Sequence, residues 1–257
     1  MLKEIIIAIQ SYYKAHNFIR KHRLWKWIII PGIVYTILFI ISMYFFGKTA
    51  NSFIEWLSLK TGLKVWLDKN GNGFLGFLFA FAGVMLWLIQ MLLYFSLFKY
   101  IWLILGSPVF AYLSEKTDSI IENKSFDFNS RQFIKDVFRG IRIALRNCLW
   151  QSVYMISIAL LSLIPVAGWL TPLLALLVEC YYYGFSMLDY SFERKRITAA
   201  GSIYFIGNHK GLAIGNGLMF YLMQLLPVVG WVMAPAYAVI SATLSLHEVK
   251  QAMPENT

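Results

Sequence analysis

The residue types that could do chemistry are few and sit within or beside long apolar stretches. Leu173 to Leu188 contains one carboxylate, Glu179, and its only ionisable companions are Cys180, Tyr181, Tyr182 and Tyr183. Such a carboxylate can serve a function inside a membrane, or it can be neutralised by burial or by a tyrosine hydroxyl, and both readings stay open. Arg23, Trp25 and Lys26 stand just before a charge-free run of 21 residues, Trp27 to Gly47. They can attract an anion, or anchor a helix among lipid headgroups. The turn Ile164-Pro165-Val166-Ala167-Gly168-Trp169 recurs 62 residues later as Leu226-Pro227-Val228-Val229-Gly230-Trp231, and a second proline follows each copy, Pro172 and Pro235. Where a helix starts after such a turn, unpaired N–H groups and the positive dipole end suit an anion. The same turns also simply end helices.

Enzymatic chemistry has no foothold. No Ser, His and Asp set forms a nucleophile motif, and His16, His22, His209 and His247 are scattered without a local metal-ligand spacing. Cys148 and Cys180 read as small buried hydrophobes. Gly71-Asn72-Gly73-Phe74-Leu75-Gly76 spells a dinucleotide fingerprint, but no strand precedes it. Asp68-Lys69-Asn70-Gly71-Asn72-Gly73 opens like a calcium loop, yet Phe79 stands where the bidentate glutamate is required. The expectation is a non-enzyme without cofactor or metal.

The elements that must position these residues follow from composition. The chain has 257 residues, 59% of them apolar and 14% charged, with mean hydropathy +0.61. Soluble domains carry about 25% charged residues, so the polar side chains are too few to wet a compact body and lipid must cover the rest. The 23 Lys and Arg exceed the 13 Asp and Glu, giving +10, which predicts anionic partners: membrane lipids and a small anion, with no nucleic acid.

The charge pattern predicts an all-α integral membrane protein, a single domain over residues 1–257. It has an amphipathic interfacial helix over 1–22, long transmembrane helices over 25–47 and 72–105, an amphipathic helix and first hairpin over 131–188, and a second hairpin over 197–248. Each hairpin arm of about 16 apolar residues reaches about 24 Å, short of a roughly 30 Å core, which favours partial insertion. From Arg131 to Cys148, Arg131, Lys135, Arg139, Arg142 and Arg146 form one stripe, either solvated among headgroups or lining an anion vestibule. Residues 1–26 carry 6 Lys or Arg and residues 99–148 carry 8, against 4 in 48–73, so the N-terminus is expected in the cytoplasm. The first apolar run lacks a cleavage site and is expected to remain in the mature protein.

Several short motifs together resemble the CysZ-type sulfate permease family, whose wider group includes the etoposide-induced membrane proteins. They are Gly106-Ser107-Pro108, Leu113-Ser114-Glu115-Lys116, Leu188-Asp189-Tyr190-Ser191-Phe192-Glu193-Arg194, Asn208-His209-Lys210-Gly211-Leu212 and the two Pro-x-x-Gly turns. The likeness runs in order from about Arg23 to Glu248. It implies two long transmembrane helices, two partly inserted hairpins, a homo-oligomer in the bacterial inner membrane, and proton- or gradient-linked sulfate entry serving cysteine synthesis. The family's sulfate-associated Gly-x-Arg-Arg run corresponds here to Arg23-Leu24-Trp25-Lys26 before Pro31. A lysine is a point charge without the planar fork that grips an oxyanion. The expectation is therefore a permease or channel for a small inorganic anion, sulfate foremost, with a non-transporting scaffold or lipid-packing envelope protein as the rival.

Overall fold

The computed structural model describes residues 1–60, 74–123, 130–161, 170–194 and 197–252. Among these residues all regular structure is helical, in eight helices: α1 Leu2–Lys21, α2 Trp25–Lys60, α3 Phe74–Ile121, α4 Ser130–Leu161, α5 Thr171–Arg194, α6 Ala199–Asn208, α7 Lys210–Gln224 and α8 Val229–Ala252. Segments Trp25–Thr49 and Val229–Val249 are long and apolar enough to cross a membrane. The helices run on where charge alone suggested breaks. Helix α2 continues past Gly47 to Lys60, and α4 joins the basic segment and the following apolar arm in one helix of 32 residues.

Two compact units result. One comprises Ile37–Lys99, where Tyr94 donates to the Ser42 carbonyl at 2.7 Å and rings meet at Phe39–Phe98 and Phe46–Tyr94. The other comprises Met1–Thr36 and Tyr100–Thr257, and it holds the residues of functional interest.

In this second unit α5 buries Tyr183, Phe185, Met187, Leu188 and Phe192, whereas α1 and α4 turn several small and polar residues inward and several large apolar residues outward. On α1 the buried face is Ala8, Ser11, Tyr12, Ala15 and Ile19, while Leu2, Ile6, Ile9 and Tyr13 are exposed. On α4, Ala144, Asn147, Gln151 and Met155 face inward, and Ile134, Phe138, Leu145 and Leu149 outward. The outer face of α4 thus carries large apolar side chains. In lipid there is no hydrophobic drive to hide it, so polar contacts and close packing decide what goes inside.

Close packing centres on α7, which lies against α1, α5 and α8. A Cβ on Gly217 would come within 2.0 Å of the Cys180 carbonyl oxygen, and one on Gly184 within 1.9 Å of that of Ala213. Cys180 and Gly184 on α5, like Ala213 and Gly217 on α7, are four apart, the small-xxx-small spacing that lets two backbones touch. Asn216 ties three helices: its carbonyl accepts from Tyr12 of α1 at 2.9 Å, its Oδ1 from Ser241 of α8 at 3.2 Å, and its Nδ2 donates within α7 to Leu212 O at 3.0 Å. Proline breaks are mended locally. Pro108 cannot donate to Ile104 O, four residues back, and the Ser107 hydroxyl does so instead at 2.9 Å.

Gly217→Ala should lower stability by about 1–3 kcal/mol, because its methyl group meets backbone rather than a flexible side chain. Gly47→Ala, with nothing within 4 Å of the added atom, should stay within about 0.5 kcal/mol. Thermal unfolding in detergent distinguishes the two.

Candidate anion site and the buried polar network

Between α1 and α2 the chain turns at Arg23, whose φ is 53°. Leu24, 3% exposed, pins this corner to the interior, and its carbonyl accepts from Trp27 N at 3.1 Å. Arg20, Lys21, Arg23 and Lys26 are all exposed around it. Trp25 packs edge-on to His16, whose Nδ1 lies 2.8 Å from the Tyr237 hydroxyl. Arg20 and Lys21 lie in the last turn of α1, with Arg23 and Lys26 beside the start of α2, and the four cations together make a surface that attracts anions by charge. Trp25 and Lys26 stand beside Arg23 at this corner.

The second of the duplicated turns joins α7 to α8. Leu225, Leu226, Pro227, Val228 and Val229 are exposed and apolar, and Val228 holds a left-handed φ of 63°. Gly230 is buried, and the Trp231 indole N–H donates to Gln224 O at 3.0 Å, closing the end of α7. Helix α7 has 15 residues, about 22 Å, whereas α8 has 24 and contains a span long enough to cross. The arms are thus unequal, because helix α8 continues past Leu246 through His247 and Glu248. Pro165, Gly168 and Trp169 of the first turn lie outside the described residues.

Glu179 is buried in the α5 face that meets α4 and α7. Gln151 Nε2 donates to its Oε1, and Tyr221 donates to Oε2 at 2.8 Å. The Tyr100 hydroxyl in turn donates to Gln151 Oε1 at 2.6 Å, which fixes the amide so that its N–H faces the carboxylate. Four helices thus contribute one member each. The Tyr183 ring stacks on Phe220 with centroids 3.7 Å apart, and Tyr35 accepts from Gln224 Nε2 at 2.7 Å. Glu179 alone was conspicuous in the sequence. Gln151 carried a weaker signal, as a lone amide in an apolar arm, and Tyr100 and Tyr221 carried none among 15 tyrosines.

The short motifs behind the family likeness are joints of this bundle. Gly106 is buried where a Cβ would strike the Phe110 ring at 2.6 Å. Asp189 Oδ1 accepts from Arg139 at 3.1 Å, and Arg139 also donates to Ser202 Oγ and to Ile197 O. Burial pushes the Asp189 carboxyl up from its ordinary range, and the Arg139 charge opposes that. Arg139 therefore leaves the expected basic stripe, because a buried counter-charge is available to it. Arg142 remains exposed, and Arg146 donates to Asn147 and lies over the Phe185 ring. Tyr190 donates to Leu103 O at 3.0 Å, and Ser114, Ser191 and Thr243 share hydroxyl contacts of 2.9–3.2 Å. His209 Nδ1 meets Glu4 Oε1 at 2.8 Å, while Glu4 Oε2 accepts Gly211 N at 3.0 Å at the start of α7. The side chains of Glu193 and Arg194 lie outside the description.

Asp189→Ala should cost about 3–5 kcal/mol by stranding the Arg139 guanidinium, and pairing it with Arg139→Met should restore most of the loss. Melting in detergent checks this; equal instability of the single and double variants would contradict it.

The family described as "Sulfate transporter CysZ/Etoposide-induced protein 2.4" matches residues 12–235. A protein of Pseudomonas syringae pv. tomato named "Sulfate transporter CysZ" is 26% identical over 171 residues, 64% of this chain and 67% of its own. Another of that name, from Pseudomonas fluorescens, is 26% identical over 143 residues, 55% of this chain and 57% of its own. The family match spans both units, the Arg23–Lys26 corner, the Glu179 network and the α7–α8 turn, and on that extent the chain belongs to the Sulfate transporter CysZ/Etoposide-induced protein 2.4 family.

Proposed function

We propose that the protein is an inner-membrane permease or channel for a small inorganic anion, sulfate foremost. The observation that carries this reading is the exposed group Arg20, Lys21, Arg23 and Lys26 at the entry of α2, in a chain whose similar proteins are named sulfate transporters. Those cations concentrate a dianion at the surface, and the start of α2 adds its dipole. The exposed apolar tip between α7 and α8 suits insertion into hydrocarbon. Its irregular backbone then needs a cover of protein or water, which a homo-oligomer supplies. On the charge bias the basic corner and the N-terminus face the cytoplasm of a bacterial cell, and the chain is multi-pass.

Glu179 takes the role of an intramembrane ionisable group beside the route, held ready by Gln151 and Tyr221. Asp189, Tyr190 and His209 act as positioning residues that keep α1, α3, α4 and α7 in register.

Purified protein in proteoliposomes should take up labelled sulfate. Lys26→Ala should raise the half-saturating concentration about tenfold, equivalent to about 1.4 kcal/mol. Lys26→Arg should lower that concentration, because the planar fork matches an oxyanion better than an ammonium does. Absence of flux for sulfate and related oxyanions in folded protein would instead support a non-transporting scaffold.

A further inference from the structure

At the end of α3, Asp118 and Glu122 stand four residues apart on one helical face, and α8 brings His247 against them. One ring nitrogen and two carboxylate oxygens, one atom from each residue, lie within 4.8 Å of one another. His247 Nε2 is hydrogen-bonded to Asp118 Oδ1, across 129 positions of sequence, which is why no local spacing announced the group. We propose that Asp118, Glu122 and His247 form a binding site for one divalent transition cation of the zinc type, joining the end of α3 to α8.

The ligand chemistry supports this. One imidazole and two carboxylates are ordinary first-row divalent ligands, and imidazole disfavours magnesium and calcium, which take oxygen alone. A zinc ion sits about 2.0–2.2 Å from each ligand atom and spaces them by roughly 3–3.5 Å. The three ligand atoms lie within 4.8 Å of one another, and His247 Nε2 and Asp118 Oδ1 are in direct contact. Burial grades across the group: Asp118 is buried, His247 half-buried and Glu122 exposed. That leaves one open side for water, the usual complement of three protein ligands.

In a chain of net charge +10 with 13 acidic residues, Glu115, Asp118 and Glu122 fall within eight positions of α3 and its end, and Glu248 neighbours His247, so a divalent cation would meet a locally acidic stretch.

The protein holds a second histidine–carboxylate pair that serves as a comparison. At His209 and Glu4, the second carboxylate oxygen accepts the Gly211 amide at 3.0 Å. That oxygen is engaged in closing a helix start, and no third ligand-bearing side chain groups with the pair among the described residues. His247 lies 18 residues beyond Val229, about 27 Å along α8 from the α7–α8 turn. None of the three ligands belongs to the Arg20–Lys26 corner.

The full chain, purified in detergent and stripped with chelator, is titrated with zinc chloride by calorimetry, and bound metal is counted by mass spectrometry. One zinc per chain is expected. His247→Gln and Glu122→Gln should each weaken binding at least tenfold, as loss of a ligand does. Asp118→Asn keeps an acceptor oxygen for His247 yet should lose the zinc-induced rise in melting temperature. His209→Gln should bind zinc like the parent. The proposal is overturned if folded parent protein shows no saturable zinc binding, if binding survives His247→Gln, if His209→Gln weakens it equally, or if magnesium chloride binds as tightly.

Discussion

Arg139 and Asp189 form the pair on which the rest of the bundle depends, because a charge taken into an apolar interior must arrive with its counter-charge and its hydrogen bonds. Arg139 comes from α4 and Asp189 from α5, and the same guanidinium reaches Ser202 on α6 and the Ile197 carbonyl before it. One side chain thereby fixes three helices. The same rule recurs at smaller scale. Glu179 collects donors from α4 and α7, and Glu4 closes the start of α7 while holding α1 against it. In a chain whose outer surface is largely apolar, these polar joints replace the hydrophobic drive as the source of a specific arrangement.

Contact distance works together with those joints. Gly184 and Gly217 let α5 and α7 approach until carbonyl oxygens occupy the space of a missing methyl group. That approach brings Tyr221 within reach of Glu179 and sets Tyr183 on Phe220. A longer separation would leave the carboxylate short of a donor, so the crossing and the polar network support one another. The Asn216 cluster then carries the same register on to α1 and α8.

The helical class and the start of the first long helix were legible because absence of charge over about 20 residues has one physical meaning in a lipid-covered chain. Glu179 was legible for the converse reason, as a carboxylate where none belongs. Inward and outward faces were not, since periodicity reports amphipathicity without saying which side lipid takes, and α4 buries Asn147 and Gln151 while exposing Phe138 and Leu149. Arg139 was grouped with a surface stripe because its counter-charge lies 50 positions away. The meeting of His247 with Asp118 and Glu122 depends on tertiary packing alone.

Burial thus sorts the basic residues into two kinds. Arg139 is half-buried on its counter-charge, whereas Arg20, Lys21, Arg23 and Lys26 remain exposed at the α1–α2 corner, and the proposed recruitment of the anion by charge rests on this exposed group. Equilibrium binding of sulfate to the detergent-purified chain, measured calorimetrically at low and at physiological ionic strength, tests that most directly. Saturable binding that weakens several-fold as salt rises is expected, as for exposed charges within a Debye length of about 8–10 Å. Binding that ignores ionic strength, or no saturable binding at all, would contradict it.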